Sequence, residues 1–310
     1  MYEARFGLKR RPFPSLPDTA LYYPASSHEA ALAASLRGVA DQEGLILVTG
    51  NPGTGKTLLA HLLLDRLGAD TQTAFLTNSH FADRSALLQA ILFDLGLPYS
   101  PGSEQMLRLR LTDYLLKQWS AGKPTVLILD EAHLLSLDLL EEVRLLSNLE
   151  AGQGKAFQAI LLGLPEILAT VRHPLMATFE QRLAVRAQLS PLVVEEALDY
   201  VLHHLRLAGG NAEKIIDETA LDVIARAARG LPRLLNQAAH QALMLADAAE
   251  LAQVDAEAAL EALSLLGLQE AGAEREEVHP PDENESQLMD DGRPILGLLP
   301  TEPEQARRAM

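Results

Sequence analysis

The chain has 310 residues, 48% of them hydrophobic, with 26 Lys and Arg against 42 Asp and Glu and no cysteine. The length predicts about two domains with ordinary packed cores, and no apolar run approaches the ~20 residues needed to span a bilayer. The lack of cysteine excludes a disulfide framework, a thiolate metal site and a cysteine nucleophile, and a net charge of −16 argues against a protein that coats a polyanion.

The lead MYEARFGLKRRPFPSLPD places its charges before a Pro-broken stretch with no apolar segment of the secretory kind, so a cytoplasmic location is expected. After it, GLILVTG (44–50) reads as a short buried strand, followed by a glycine-rich loop and the helically spaced TLLAHLLLDRL. Further strand signals are TAFLTN around Phe75, PTVLILD ending at Asp130, AFQAILLG ending at Gly163 and VRAQL ending at Leu189. Helical patterns separate them in SALLQAILFDLGL, QMLRLRLTDYLLKQWSAG, LLEEVRLLSNLE and PEILATVRH. Apolar strands alternating with helices predict a parallel sheet covered on both faces, an α/β fold. Beyond Pro191 the strand signals stop, and four helical patterns follow, three of them ended by glycine. The expected organisation is an α/β domain over 1–190, a small all-helical domain over 191–267 and a tail over 268–310. From Glu270 onward 11 acidic and 4 basic residues give the tail a net −7; with Pro280-Pro281 and the runs EREE and PDENES it is expected to be disordered and acidic.

GNPGTGKT (Gly50, Asn51, Pro52, Gly53, Thr54, Gly55, Lys56, Thr57) fits G-x-x-x-x-G-K-[ST] and lies directly after a strand and before a helix. In such a P-loop the backbone N–H groups wrap phosphate at a helix N-terminus, the lysine reaches the β/γ-phosphates and the hydroxyl ligates Mg²⁺. These residues, with Leu58 after them, form the expected ATP site. VLILD puts Asp130 at the end of another buried strand, where open α/β sheets bind ligands; Thr57 and Asp130 are the expected Mg²⁺ residues, and Glu131 the base that polarises the attacking water. One strand intervenes between the two motifs in sequence, the order of the glutamate-bearing P-loop ATPases. The letters D-E-A-H (130–133) also name a helicase group, but such a helicase needs a second RecA-like domain and a coupling Ser-Ala-Thr triplet, and this sequence has neither.

GLPRLLN (230–236) resembles the second sensor of AAA+ ATPases. With FGLKRRPF, YYPASSHEAALAASL, GNPGTGKT, LDEAHLLSLDLLEEVRLLSNLE, ILLGLPE, FEQRLAVRAQLSPL and VDAEAALEAL, it makes residues 1 to about 267 similar to the ATPase module of the general secretion pathway protein A (ExeA-type) family, and more distantly to ATPases that regulate transposition. The resemblance implies a P-loop NTPase of AAA+ type with a helical lid. It also implies Arg233 as lid sensor, Arg182 or Arg186 as an arginine finger presented to a neighbouring subunit of a homo-oligomer, and Tyr23 and His28 beside the adenine. Two departures stand out. Leu164 occupies a position where the family carries Gln, leaving Asn148 or His133 to substitute, and an acidic tail stands where the family continues through a membrane helix into a periplasmic region.

Three functions follow as alternatives: a nucleotide-switched assembly ATPase acting on a protein partner, with PILGLLP (294–300) as a docking cluster; a DNA-loaded regulator, which would use Arg108, Arg110, Lys117 and the Lys9–Arg11 run; and a nucleotide-binding module with little turnover. The acidic balance favours a protein partner over DNA.

Overall fold

The computed structural model describes residues 2–100, 102–152 and 154–268; the acidic tail expected over 268–310, with its PILGLLP cluster, lies outside them except for Leu268. The described residues belong to one compact unit. Its sheet is built from β1 (Leu45–Gly50), β2 (Gln72–Leu76), β3 (Thr125–Leu129), β4 (Phe157–Gly163) and β5 (Leu183–Leu189). The spatial order is β2-β3-β4-β1-β5, and every pairing is parallel. All five runs read as strands in the sequence are therefore strands. The strand carrying Asp130 is separated from the P-loop strand by β4.

Helices α1 (Ser26–Ala40), α2 (Lys56–Leu67), α3 (Arg84–Asp94), α4 (Glu104–Ser120) and α5 (Leu137–Ser147) cover the sheet. Alternate strand residues point to opposite faces, and the core divides accordingly. Leu45, Leu47, Leu127, Leu129 and Leu161 bury against α3, α4 and α5; Ile46, Val48, Val126, Ile128 and Ile160 bury against α1 and α2. Side-chain caps fix where three of the helices begin, with Asp83, Ser103 and Ser136 each accepting from a backbone N–H of the first turn. A short antiparallel ladder between Glu150–Ala151 and Gly154–Lys155 precedes β4; nothing in the residue spacing signalled it.

After β5 come α6 (Val194–Leu207), α7 (Glu218–Ala227), α8 (Pro232–Ala248) and α9 (Ala256–Leu265), which share a separate hydrophobic cluster. The N-terminal lead joins this cluster through Tyr2, Phe6, Leu8 and Phe13. Chain order would have assigned these residues to the sheet, but their aromatic and aliphatic faces are buried among the helices that arrive last.

Glu142 on α5 is fully buried and takes two hydrogen bonds from Arg108 of α4, one of 2.9 Å. Removing the guanidinium would strand a buried carboxylate, which costs more than the ion pair itself contributes. Arg108→Ala is therefore expected to lower stability by roughly 2–4 kcal/mol, read as a fall of several degrees in melting temperature with ATP affinity unchanged.

Candidate functional site

Parallel strands deliver their C-terminal ends to one edge, and here that edge collects β1 with the loop after Gly50, β3 with Asp130 and Glu131, and β4 with Leu164. A cavity of about 680 Å³ opens there, lined on one side by Pro52, Gly53, Gly55, Lys56, Thr57 and Leu58. Gly50, Asn51 and Thr54 do not line it; they form the loop beneath. Thr54 is buried and donates to the Asn51 carbonyl at 2.9 Å.

The loop depends on two glycines with left-handed backbone, Gly53 (φ +81) and Gly55 (φ +97), a conformation costly to any residue with a Cβ. A Cβ on Gly53 would stand 3.1 Å from that of Arg233, and one on Gly55 3.1 Å from His28 Nε2, so both positions are crowded as well. Lys56 is buried and its Nζ donates to the carbonyls of Gly50 (2.9 Å) and Asn51 (3.2 Å). Burial pulls its pKa below the usual lysine value, while Glu131, Asp130 and Glu166 pull the other way. A cationic group at the N-terminus of α2, under a loop of turned-in N–H groups, is suited to a polyphosphate.

Thr57 Oγ1 donates to Asp130 Oδ2 at 2.6 Å, and Asp130 Oδ1 accepts from the Glu131 N–H at 2.9 Å. Asp130 is buried and reaches the cavity only through Thr57. A hydroxyl and a carboxylate in contact form a hard-oxygen set fit for Mg²⁺. Glu131 lines the cavity, is half-buried, and holds a left-handed backbone (φ +54) that a non-glycine residue adopts only when its surroundings impose it. His133 Nε2 lies 3.5 Å from Glu131 Oε2, and its Nδ1 accepts from the Leu164 N–H at 3.4 Å. The Leu164 side chain lines the cavity and offers no hydrogen bond; the polar link between β4 and Glu131 runs through His133 instead.

The facing wall comes from the helical part and the N-terminal lead: Phe13, Tyr200, His204, Arg233 and Asn236. The Arg233 N–H donates to the Gly53 carbonyl at 3.3 Å, bringing the start of α8 against the loop, and the Arg233 side chain is exposed. The linker after β5 is fixed by Leu192 N–H to Gly230 O (2.8 Å) and by Glu196 to the Ser26 N–H and hydroxyl (2.9 and 2.6 Å).

Residues 39–171 match the family model described as an AAA domain. General secretion pathway protein A of Aeromonas hydrophila is 37% identical over 247 residues, covering 79% of this chain and 45% of that protein. The chain thus carries an AAA domain over residues 39–171. It spans under half the length of this curated relative. Among solved structures, the Aeropyrum pernix ORC2 protein in its ADPNP–ADP complexes (TM-score 0.63, 17% identity, 83% of this chain and 71% of that one) and the Thermotoga maritima RuvB Holliday junction branch migration motor (TM-score 0.55, 18% identity, 84% and 76%) share the fold.

The structure separates residues that the sequence grouped. Neither Arg182 nor Arg186 lines the cavity. Arg186 is held by Glu180 at 3.3 Å, whereas the exposed side chain of Arg182 makes no hydrogen bond or ion pair among the described residues. Tyr23 and His28 are also outside the cavity: Tyr23 packs edge-on to Tyr200 and His203, and His28 supports the loop from below, bonded to the Thr54 carbonyl at 2.7 Å. Asn148 ends α5 and does not line the site. The reading from sequence gave no site role to Phe13, Tyr200, His204 or Asn236, although Phe13 closes the quoted FGLKRRPF and Asn236 the quoted GLPRLLN. No group of acidic or histidine side chains able to hold a metal ion by itself occurs among the described residues, and none of their helices is long and apolar enough to cross a membrane.

Proposed function

We propose that this protein is an AAA+ ATPase that binds ATP with Mg²⁺ in the cavity, hydrolyses it, and uses the cycle as a nucleotide-switched assembly factor on a protein partner, acting as a homo-oligomer. The observation that carries the reading is the meeting at one sheet edge of Lys56, the Thr57–Asp130 pair and Glu131, with Arg233 of the helical part against Gly53. Lys56 and the loop N–H groups hold the β/γ-phosphates, and Arg233 meets the γ-phosphate as a lid sensor over residues 191–267. Glu131, with its carboxylate steadied by His133, takes the proton of the attacking water. Thr57 and Asp130 would hold the Mg²⁺, whose positive charge would neutralise the phosphate oxygens. Arg182 is the finger favoured for a neighbouring subunit, since Arg186 already has a partner.

A protein partner is preferred over DNA because five of the six basic side chains named for a phosphate-binding strip are engaged within the chain. Arg10 bonds the Ala20 carbonyl, Arg11 bonds His240 and the Phe13 carbonyl, Arg108 bonds Glu142, Arg110 bonds the Pro98 carbonyl, and Lys117 bonds Asp113. Two measurements test the proposal. Purified protein should release phosphate from ATP in a Mg²⁺-dependent manner, and Asp130→Asn should lose most of that rate. A labelled duplex titrated with Glu131→Gln protein and ATP should show weak anisotropy change at physiological salt. Tight ATP-dependent binding that falls by ~10³ or more between low and physiological salt would replace the protein partner with DNA.

A further inference from the structure

The phosphate end of the cavity is fixed by the loop Gly53–Thr57, which leaves the opposite wall, shared by α6, α8 and the N-terminal lead, to meet the rest of a nucleotide. Two side chains on that wall have their hydrogen-bonding polarity set by neighbours. His204 Nδ1 lies 2.9 Å from the Pro12 carbonyl. A carbonyl only accepts, so the proton is on Nδ1. His204 is buried, 4% exposed, and burial pushes its pKa down to about 4 against the opposing effect of the Pro12 bond, so the ring is neutral near pH 7. Its Nε2 is then a lone-pair acceptor, with no partner among the described residues. Phe13 stacks on the ring (centroids 5.6 Å apart, 8° between planes) and Tyr200 packs on it at 4.2 Å, which holds its orientation.

Asn236 is set in the complementary sense. The Tyr200 hydroxyl donates to Asn236 Oδ1 at 2.9 Å, committing the amide oxygen and leaving Nδ2 as a donor. One acceptor and one donor are thus anchored on the same tyrosine, on the wall of one cavity. The edge of adenine carries an amino donor next to a ring-nitrogen acceptor. Guanine reverses both, with a carbonyl oxygen next to a ring N–H.

We propose that His204 and Asn236 read the edge of the base, Nε2 accepting from the 6-amino group and Nδ2 donating to the adjacent ring nitrogen, so that the site selects adenine over guanine nucleotides. The inference rests on the cavity being the nucleotide site and goes beyond it by naming the groups that set base preference. Neither group needs to reorganise on binding, which favours discrimination. Against guanine, His204 Nε2 faces a carbonyl oxygen and Asn236 Nδ2 faces a ring N–H, so each group is left unpaired in a desolvated wall.

The test is displacement of a fluorescent N-methylanthraniloyl ATP from the full chain by ATP, purine riboside triphosphate, inosine triphosphate and GTP. ATP should bind about tenfold or more tightly than purine riboside triphosphate, which lacks only the amino group, and the two 6-oxo nucleotides should be weaker still. Asn236→Asp keeps the oxygen that Tyr200 bonds but turns the reading donor into an acceptor. It should weaken ATP and narrow the ATP-to-GTP ratio by about tenfold, with the melting temperature little changed. Equal affinity for all four triphosphates in the unmodified protein overturns the inference while leaving the nucleotide site in place, and so does an Asn236→Asp protein that is stably folded and keeps the original ratio. No binding of the fluorescent ATP by the unmodified protein would overturn the nucleotide site itself, and the inference with it. If Asn236→Asp does not fold, the four-nucleotide series decides alone.

Discussion

Lys56→Ala is expected to reduce ATP affinity by about 100-fold or more, whereas Glu131→Gln should bind ATP as the unmodified protein does and lose turnover by ~10²–10⁴. The two residues line one cavity, yet the proposed function gives them separable tasks. Lys56 carries the positive charge nearest the loop, and its Nζ also ties the Gly50 and Asn51 carbonyls together; alanine removes both the charge and the brace. Charge-assisted hydrogen bonds to phosphate are about twice as strong as neutral ones, so the loss falls on binding. Glu131 makes no bond to the loop and keeps its backbone position through Asp130 and the turn that follows. Glutamine preserves shape and removes only the capacity to take a proton. Fluorescent-nucleotide anisotropy reads the first effect and phosphate release the second. Similar losses of binding in both variants would take the base role away from Glu131.

Which features are legible in the sequence depends on the range of the interactions that make them. GNPGTGKT and VLILD announce themselves because each function is written into contiguous residues, a turn that needs glycine and a strand end that needs a carboxylate, and the strands alternate with helices in a pattern that permits only a sheet covered on both faces. The wall of the cavity opposite the loop left no such signature. Phe13 and His204 are 191 positions apart in the chain, and their stacking exists only once the N-terminal lead has packed among α6, α7 and α8. Tyr23 and His28, placed beside the base by resemblance, are turned instead to the helical cluster and to the underside of the loop. The preference for Arg182 over Arg186 likewise depended on the Glu180 carboxylate, which a short helix ending at Glu180 holds beside the edge strand. The polar group that Leu164 lacks is supplied from a distance in sequence, by His133, which spans from the Leu164 N–H to Glu131.

If the protein works as a homo-oligomer with a finger in trans, Arg182→Ala should lose about 10³-fold in turnover while binding ATP normally, and Arg186→Ala should change turnover by only a small factor. The asymmetry follows from what each guanidinium is doing in the single chain. Arg186 must leave Glu180 before it can touch anything else, and that exchange offsets part of any gain. The Arg182 side chain is exposed and makes no hydrogen bond or ion pair among the described residues, which leaves its fork available for the oxygens of a transferring phosphoryl group. Because neither arginine lines its own cavity, a finger role for either would be played in the cavity of a neighbouring copy. Specific activity should therefore rise with protein concentration. Mixing Arg182→Ala with Lys56→Ala should restore part of the activity, since the first variant supplies an intact nucleotide site and the second an intact finger. The readout is phosphate release across a concentration series and across mixing ratios, with mass photometry to follow assembly. A rate per chain that stays constant with concentration, together with no recovery on mixing, would assign Arg182 to the surface and leave hydrolysis to the residues of a single subunit.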